Sequence, residues 1–179
     1  MDLDEEAFHK AMKVQKDTAR AARKTTNYMG RDDIYQNLDP SISSEFTGYD
    51  RLEEDATVKA LVFLSDEEGQ GRICDKITEG QKAAVITDKT PFYATMGGQQ
   101  GDQGEITGEN SLFVVDETIH LQGGKIAHLG VMEQGEISVK EKVHLSVDEE
   151  SRNLTARNHT ATHLLQKALK TVLGPHVEQ

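Results

Sequence analysis

Two histidines, four residues apart, stand in the stretch "RNHTATHLL" at residues 157–165. On a helix, side chains at i and i+4 project over the same turn, so His159 and His163 could grip one metal ion together. At 100° per residue the two lie within about 40° of each other. They sit roughly opposite a stripe formed by Ala161, Leu164, Leu165, Ala168, Leu169, Val172 and Leu173. They are therefore not core histidines of their own helix, and Lys167 and Lys170 share their side, as a solvated face would also have it. Zinc takes three or four ligands. The other candidates are His9, His120, His128, His144, His176, Cys74 and scattered carboxylates, and none forms an obvious second half-site. Thr160 and Thr162 flank the histidines. Their hydroxyls could meet a substrate hydroxyl or satisfy the helix backbone.

The pair needs an element to carry it. The apolar stripe predicts a helix over about 158–173, stopped by Gly174 and Pro175. Upstream, from about 51 to 147, short β-rich runs alternate with glycine or acidic turns: "VKALVFL", "KAAVIT", "LFVVDETIHL", "KIAHLGVM", "EISV" and "KVHLSV". Their lengths and the lack of helical patterns between them predict an antiparallel barrel or sandwich and argue against βαβ units. "ETIHLQGGKIAHLG" reads as a hairpin around Gln122, Gly123 and Gly124. The fold class expected is thus mainly β with flanking helices.

One stretch of the β region fits neither strand nor turn: "DKTPFYATMGGQQGDQG", residues 88–104. Gly97, Gly98, Gly101 and Gly104 expose backbone to a ligand or a neighbouring chain segment. It is not a phosphate loop, since no Lys follows in the required place and no strand runs through it into a helix. A loop at the barrel rim and a binding loop both remain open from composition.

The N-terminal segment, to about residue 30, has apolar residues at helical spacing and acids in its first turns. Residues 9–31 carry a local charge of +6, whereas residues 32–179 carry −13. The basic face, including Lys13, Lys16, Arg20 and Arg23, reads either as a solvated surface or as a contact for nucleic-acid phosphates. Residues 31–50 have turn residues and no sustained period, and read as a linker. The overall net charge of −11 argues against a general nucleic-acid binder. A lone cysteine, Cys74, suits an intracellular chain. No apolar run approaches the roughly 20 residues of a membrane helix. The abrupt helical start suggests a piece excised from a larger protein.

Four stretches together resemble one family. "RNHTATHLL" is similar to the start of the editing domain of alanyl-tRNA synthetases and their free-standing relatives. "TPFYATMGGQQGDQG" resembles the glycine-rich signature of the same superfamily, with Thr95 and Met96 in place of its usual Glu-Ser. "FTGYDRLEEDATV" looks like the segment that precedes the synthetase barrel, and "AMKVQKDTARAARK" like the end of its helical tRNA-recognition region. Their order also matches, and the upstream pair favours the full synthetase over the free-standing editors. Gln166 stands where a His often follows the two leucines.

The resemblance implies a parent enzyme that joins alanine to its tRNA with ATP and magnesium, bound by a catalytic domain outside these residues. It implies a second site, dependent on zinc, that hydrolyses tRNA mischarged with serine or glycine. His159 and His163 match the first ligand pair; the later Cys and His would lie beyond Gln179, and Cys74 does not match them. "GPHVEQ" resembles a family stretch that would bring Gln179 near the editing pocket. Thr160, Thr162, Gly97, Gly98 and Gln99 become candidates for proximity to substrate. The β region would be a barrel resembling the second domain of elongation factors. The implied organisation is an amphipathic helix at 1–30, a linker at 31–50, the barrel at 51–147 and the truncated start of an α+β editing domain at 148–179. Expected partners are tRNA for alanine and the rest of the synthetase, in the cytoplasm. The fragment alone is expected to be inactive.

Overall fold

The computed structural model describes residues 32–65, 71–95 and 100–174. The N-terminal basic helix expected at 1–30 lies outside them. The described part is mostly β and is built around a closed antiparallel barrel of six strands, with one long helix at its C-terminal end.

The barrel strands are β2 (Glu53–Leu64), β5 (Lys82–Thr87), β7 (Gly104–Thr107), β8 (Leu112–Leu121), β9 (Lys125–Gln134) and β11 (Lys142–Val147). They neighbour each other in the order β11-β7-β8-β9-β5-β2, and β11 pairs back onto β2 to close the ring. β3 (Gly71–Cys74) hooks onto the far end of β2. Inside lie Val58, Leu61, Ala83, Val85, Phe92, Ile106, Phe113, Val115, Met132, Val143 and Leu145. β11 alternates strictly, with Val143, Leu145 and Val147 inward. β5 does not, because Ala83 and Val85 face the barrel interior while Ala84 and Ile86 join a second core on the outer wall. A strand covered on both faces reads as a continuous apolar run rather than an alternation.

That second core is covered by residues 32–46, and here the structure departs from the expected linker. Helix α1 (Asp32–Gln36) and the turn after it bury Tyr35 and Leu38 against Val62, Leu64, Ile86 and Leu129. Ser44 then stitches the segment down: its Oγ donates to Thr87 O at 2.7 Å and accepts from Ile126 N at 3.1 Å. β1 (Glu45–Phe46) runs parallel to β6 (Lys89–Thr90). Few apolar residues spaced irregularly suffice for this, since the barrel supplies the rest of the apolar surface.

One end of the barrel shows an internal two-fold repeat. β4 (Lys76–Thr78) pairs with β10 (Glu136–Ser138), setting fully buried Ile77 opposite fully buried Ile137. Each is followed by the same turn. Gln81 Oε1 accepts from Thr78 N at 2.9 Å, and Glu141 Oε2 accepts from Ser138 N at 2.9 Å. Gly80 N donates to Met132 O as Lys140 N donates to Val58 O, both at 2.8 Å. Gly80 has φ 80° and Lys140 has φ 72°, the one non-glycine residue in the left-handed region among the described residues.

Candidate metal centre

Helix α2 (Glu149–Leu173) leaves the barrel directly from β11. Asp148 caps it by accepting from Ser151 N at 3.1 Å, and Glu149 and Glu150 lie in its first turn, where the helix dipole favours acid. Gly174 ends it, with φ 108° and its N–H on Lys170 O. The helix begins nine residues before the apolar stripe had indicated, because its first turns carry polar residues and are set by the cap.

His159 and His163 lie one turn apart on this helix. Their Nε2 atoms approach to 2.9 Å, with ring centroids 4.5 Å apart and an edge-on arrangement. Both are exposed. Two imidazole nitrogens held on one tetrahedral zinc at about 2.0–2.1 Å would sit roughly 3.3 Å apart, so a small rotation of either ring makes the pair a fit for one ion. No group of three or more potential metal ligands occurs among the described residues. The pair thus offers half of a coordination shell. Thr160 Oγ1 donates to Ala156 O at 3.0 Å and Thr162 Oγ1 to Asn158 O at 2.9 Å, so both hydroxyls serve the helix backbone.

Of the remaining described histidines, His120 is exposed on β8, and His128 and His144 are engaged elsewhere. His128 is fully buried; its Nδ1 lies 2.8 Å from Val85 O and its Nε2 2.7 Å from Thr90 Oγ1. Nδ1–H donates to the carbonyl, and Nε2 accepts from the hydroxyl, which in turn accepts from Phe92 N. Burial pushes the imidazole pKa down to about 4, although the Val85 carbonyl pulls the other way. His144 pairs with Asp55 at 2.8 Å on the outer wall. Cys74 is half-buried, with its Sγ toward Leu61 O. Gly97, Gly98, Gln99, Lys13, Lys16, Arg20, Arg23 and Gln179 lie outside the described residues.

The residues that sequence reasoning missed are at the root of the helix. Asp102, from the glycine-rich loop, is 5% exposed at its side chain, and Arg152, from the first turns of α2, is 18% exposed. Arg152 Nε donates to Asp102 Oδ2 at 3.0 Å, and Nη2 reaches the same oxygen. Nη1 donates to Gly48 O at 3.1 Å and Nη2 to Pro91 O. Asp102 Oδ2 also accepts from Tyr93 N at 2.6 Å, and Thr118 Oγ1 donates to Asp102 O. Glycines permit the close fit: a Cβ on Gly48 would lie 2.1 Å from Pro91 O, and one on Gly101 2.2 Å from Thr118 O. Thr95 pins the loop with its N–H and hydroxyl on Thr118 O and its Oγ1 on Gly101 N. A signal existed, because a basic residue so near a helix N-terminus runs against the dipole and calls for a partner. Removing either member of such a buried pair strands the other charge, at about 3–5 kcal/mol.

Two of the family-like stretches therefore meet at the root of the helix that carries a third: "FTGYD" through Gly48 and "TPFYATMGGQQGDQG" through Pro91, Tyr93, Gly101 and Asp102, both on Arg152 five residues before "RNHTATHLL". The family model for class II (A) tRNA synthetases matches residues 1–151. The chain belongs to that synthetase family. It is 49% identical over 178 residues to alanine–tRNA ligase 1 of Lachnoclostridium phytofermentans, covering 99% of this chain and 20% of that ligase. It is 42% identical over 177 residues to the alanine–tRNA ligases of Thermoanaerobacter sp. strain X514 and of Thermoanaerobacter pseudethanolicus, covering 99% of this chain and 19% of each. The chain thus spans about one fifth of the length of these synthetases. No helix among the described residues is long and apolar enough to cross a membrane.

Proposed function

We propose that this chain is the segment of an alanine–tRNA ligase that joins its tRNA-recognition helices to a zinc-dependent editing site, and that it carries the first half of that site. The observation that supports this best is the convergence of His159 Nε2 and His163 Nε2 to 2.9 Å on the solvent side of a helix rooted in the barrel. Both would bind the metal as neutral imidazoles. The missing ligands come from later in the ligase. When bound, zinc polarises an ester carbonyl or lowers the pKa of a water near it.

The reaction is hydrolysis of tRNA for alanine mischarged with serine or glycine. A small pocket discriminates poorly against one added hydroxyl, so a second hydrolytic site is needed. The charging reaction, with its ATP and magnesium, belongs to the rest of the ligase, in the cytoplasm. The basic N-terminal segment with Lys13, Lys16, Arg20 and Arg23 contacts tRNA phosphates.

The test is kinetic. In the full-length ligase, His159→Ala with His163→Ala abolishes deacylation of seryl-tRNA and spares alanine charging. Loss of charging with intact deacylation would sink the editing role. For the 179-residue chain, deacylation is absent with added zinc and with a chelator alike. Chelator-sensitive hydrolysis would instead make it an editing enzyme in its own right.

A further inference from the structure

Beyond its root, α2 has little to hold it in place. Its side chains from Asn153 to Val172 are mostly exposed, including Leu154, Leu164, Leu165 and Val172. Its direction is therefore fixed over the few residues that join it to the barrel. Val147 N donates to Leu52 O and Asp148 N to Gln103 O, which hold the exit from β11. These bonds fix where the helix starts but leave its tilt and its rotation to whatever grips its first turns.

Arg152 supplies that grip. Its planar fork is rigid, and its three nitrogens reach acceptors on three separate segments: Gly48 O, Pro91 O and the Asp102 carboxylate. A planar group held from three directions fixes rotation as well as distance. Asp102 is held in turn by Tyr93 N and, through its own carbonyl, by Thr118 Oγ1. His159 follows Arg152 by two turns of the helix, about 10 Å along its axis. The orientation set at Arg152 is carried directly to the histidines.

We propose that the Asp102–Arg152 pair is the latch that aims the histidine-bearing helix, and that Arg152 is a positioning residue for hydrolysis at His159 and His163. This rests on the editing reading above. On this view the glycine-rich loop acts through the helix root, with its acid serving as the seat for Arg152. A displacement of about 1 Å at a reacting group can cost about 100-fold in rate, so a loosened latch lowers kcat more than KM.

The experiment has two arms. In the 179-residue chain with Cys74→Ser, nitroxide labels on Glu79→Cys and Val172→Cys report the barrel-to-helix distance distribution. In the full-length ligase, seryl-tRNA deacylation and alanine charging are measured for Arg152→Met, Asp102→Asn and Arg152→Lys. The expected result is a broadened distribution and a roughly 10- to 100-fold lower deacylation kcat in Arg152→Met and Asp102→Asn, with KM within about twofold and charging unchanged. Arg152→Lys, which keeps the charge and loses the fork, falls between and guards against a mere folding failure. An unchanged kcat in Arg152→Met overturns the proposal, as does a distribution as narrow as wild type. The His159→Ala, His163→Ala variant is run alongside. If it still hydrolyses, the editing reading has failed, and the distance arm decides separately whether the latch exists.

Discussion

Thr90 Oγ1 lies 2.7 Å from His128 Nε2 inside the barrel, in a chain that runs from Phe92 N–H through the hydroxyl and the ring to the Val85 carbonyl. Every polar atom of the neutral imidazole is matched, and the edge of Phe92 packs on the ring. A charged imidazole has no anion near it in this chain of contacts.

The pH dependence of stability follows. His128 has a folded pKa of about 4, below its ordinary value of 6.5. The unfolded chain therefore binds the proton more readily between those two values. The contribution of neutral His128 is fully present above pH 6.5 and is lost as the pH falls towards 4, by on the order of 3 kcal/mol. Urea unfolding at about pH 7.5 and pH 4.5 should show this loss in wild type and a smaller one in His128→Gln. An equal loss in both would assign the acid sensitivity to other groups.

Carboxylates act in a lower window. Burial opposes ionisation of Asp88, but hydrogen bonds from the Thr57 and Lys89 backbone and the Lys59 ammonium outweigh it and hold the carboxyl below its ordinary value. Its contribution is present above the ordinary carboxylate pKa and is lost as the pH falls through the lower folded value. Asp88→Asn should thus flatten the stability profile below about pH 4 and leave the His128 step in place. Unfolding midpoints between about pH 2.5 and 5 read this out.

The repeated turns allow a paired test of backbone strain. Lys140 occupies with φ 72° the place that Gly80 fills with φ 80°. A side chain at Gly80 would meet nothing within 4 Å, so only the backbone conformation distinguishes the two sites. Lys140→Gly should stabilise by up to about 1 kcal/mol, and Gly80→Ala should destabilise by about the same. Thermal unfolding of the two variants measures both. A destabilised Lys140→Gly would mean that the lysine side chain contributes more than the strain it carries.

Gly130 tests packing between strands. A Cβ there would stand 1.8 Å from Val114 O, across the β8–β9 pairing. Gly130→Ala should cost about 2–3 kcal/mol and lower the urea midpoint without changing the slope. A near-neutral result would show that the two strands can separate locally at no cost.

For the N-terminal basic segment, reversing the charges at Lys13, Lys16, Arg20 and Arg23 in the full-length ligase should weaken tRNA binding. It should also flatten the salt dependence, by roughly 0.7–0.9 in the log–log slope for each phosphate no longer neutralised. Filter binding across a salt series provides the measurement. Unchanged affinity at low salt would remove that segment from tRNA binding.

The strands buried on two faces and the hairpin at Gln122–Gly124 were legible, because apolar runs bounded by glycine carry a strong local signal. β3, β4 and β7 were not, since three or four residues with one or two apolar side chains give no period. The role of residues 32–46 was hidden for a different reason: Tyr35 and Leu38 are apolar only here and there, and their partners lie on β2, β5 and β9. The two-fold repeat is written in the sequence as "KITEGQK" against "EISVKEK", 60 positions apart, but so few letters are identical that only the shared turn geometry brings it out. The candidate metal pair was plain from i, i+4 spacing. Asp102 was not, because its meaning depends on an arginine 50 residues later.

The closing seam of the barrel has a consequence for synthesis. Thr57 pairs with Lys142 and Glu53 with Ser146, so the ring shuts only when its last strand exists. Roughly 90 residues must be brought back on themselves, and at about 5–20 residues per second the early strands wait several seconds for their partner. Arg152 leaves the ribosome just after that strand. Its three seats, at Gly48, Pro91 and Asp102, are held together without that strand, by Thr47 N on Thr90 O and Tyr93 N on the Asp102 carboxylate. The helix therefore follows the closing strand to seats that earlier segments supply, and a barrel that fails to shut keeps Arg152 away from them and leaves Asp102 with no cation.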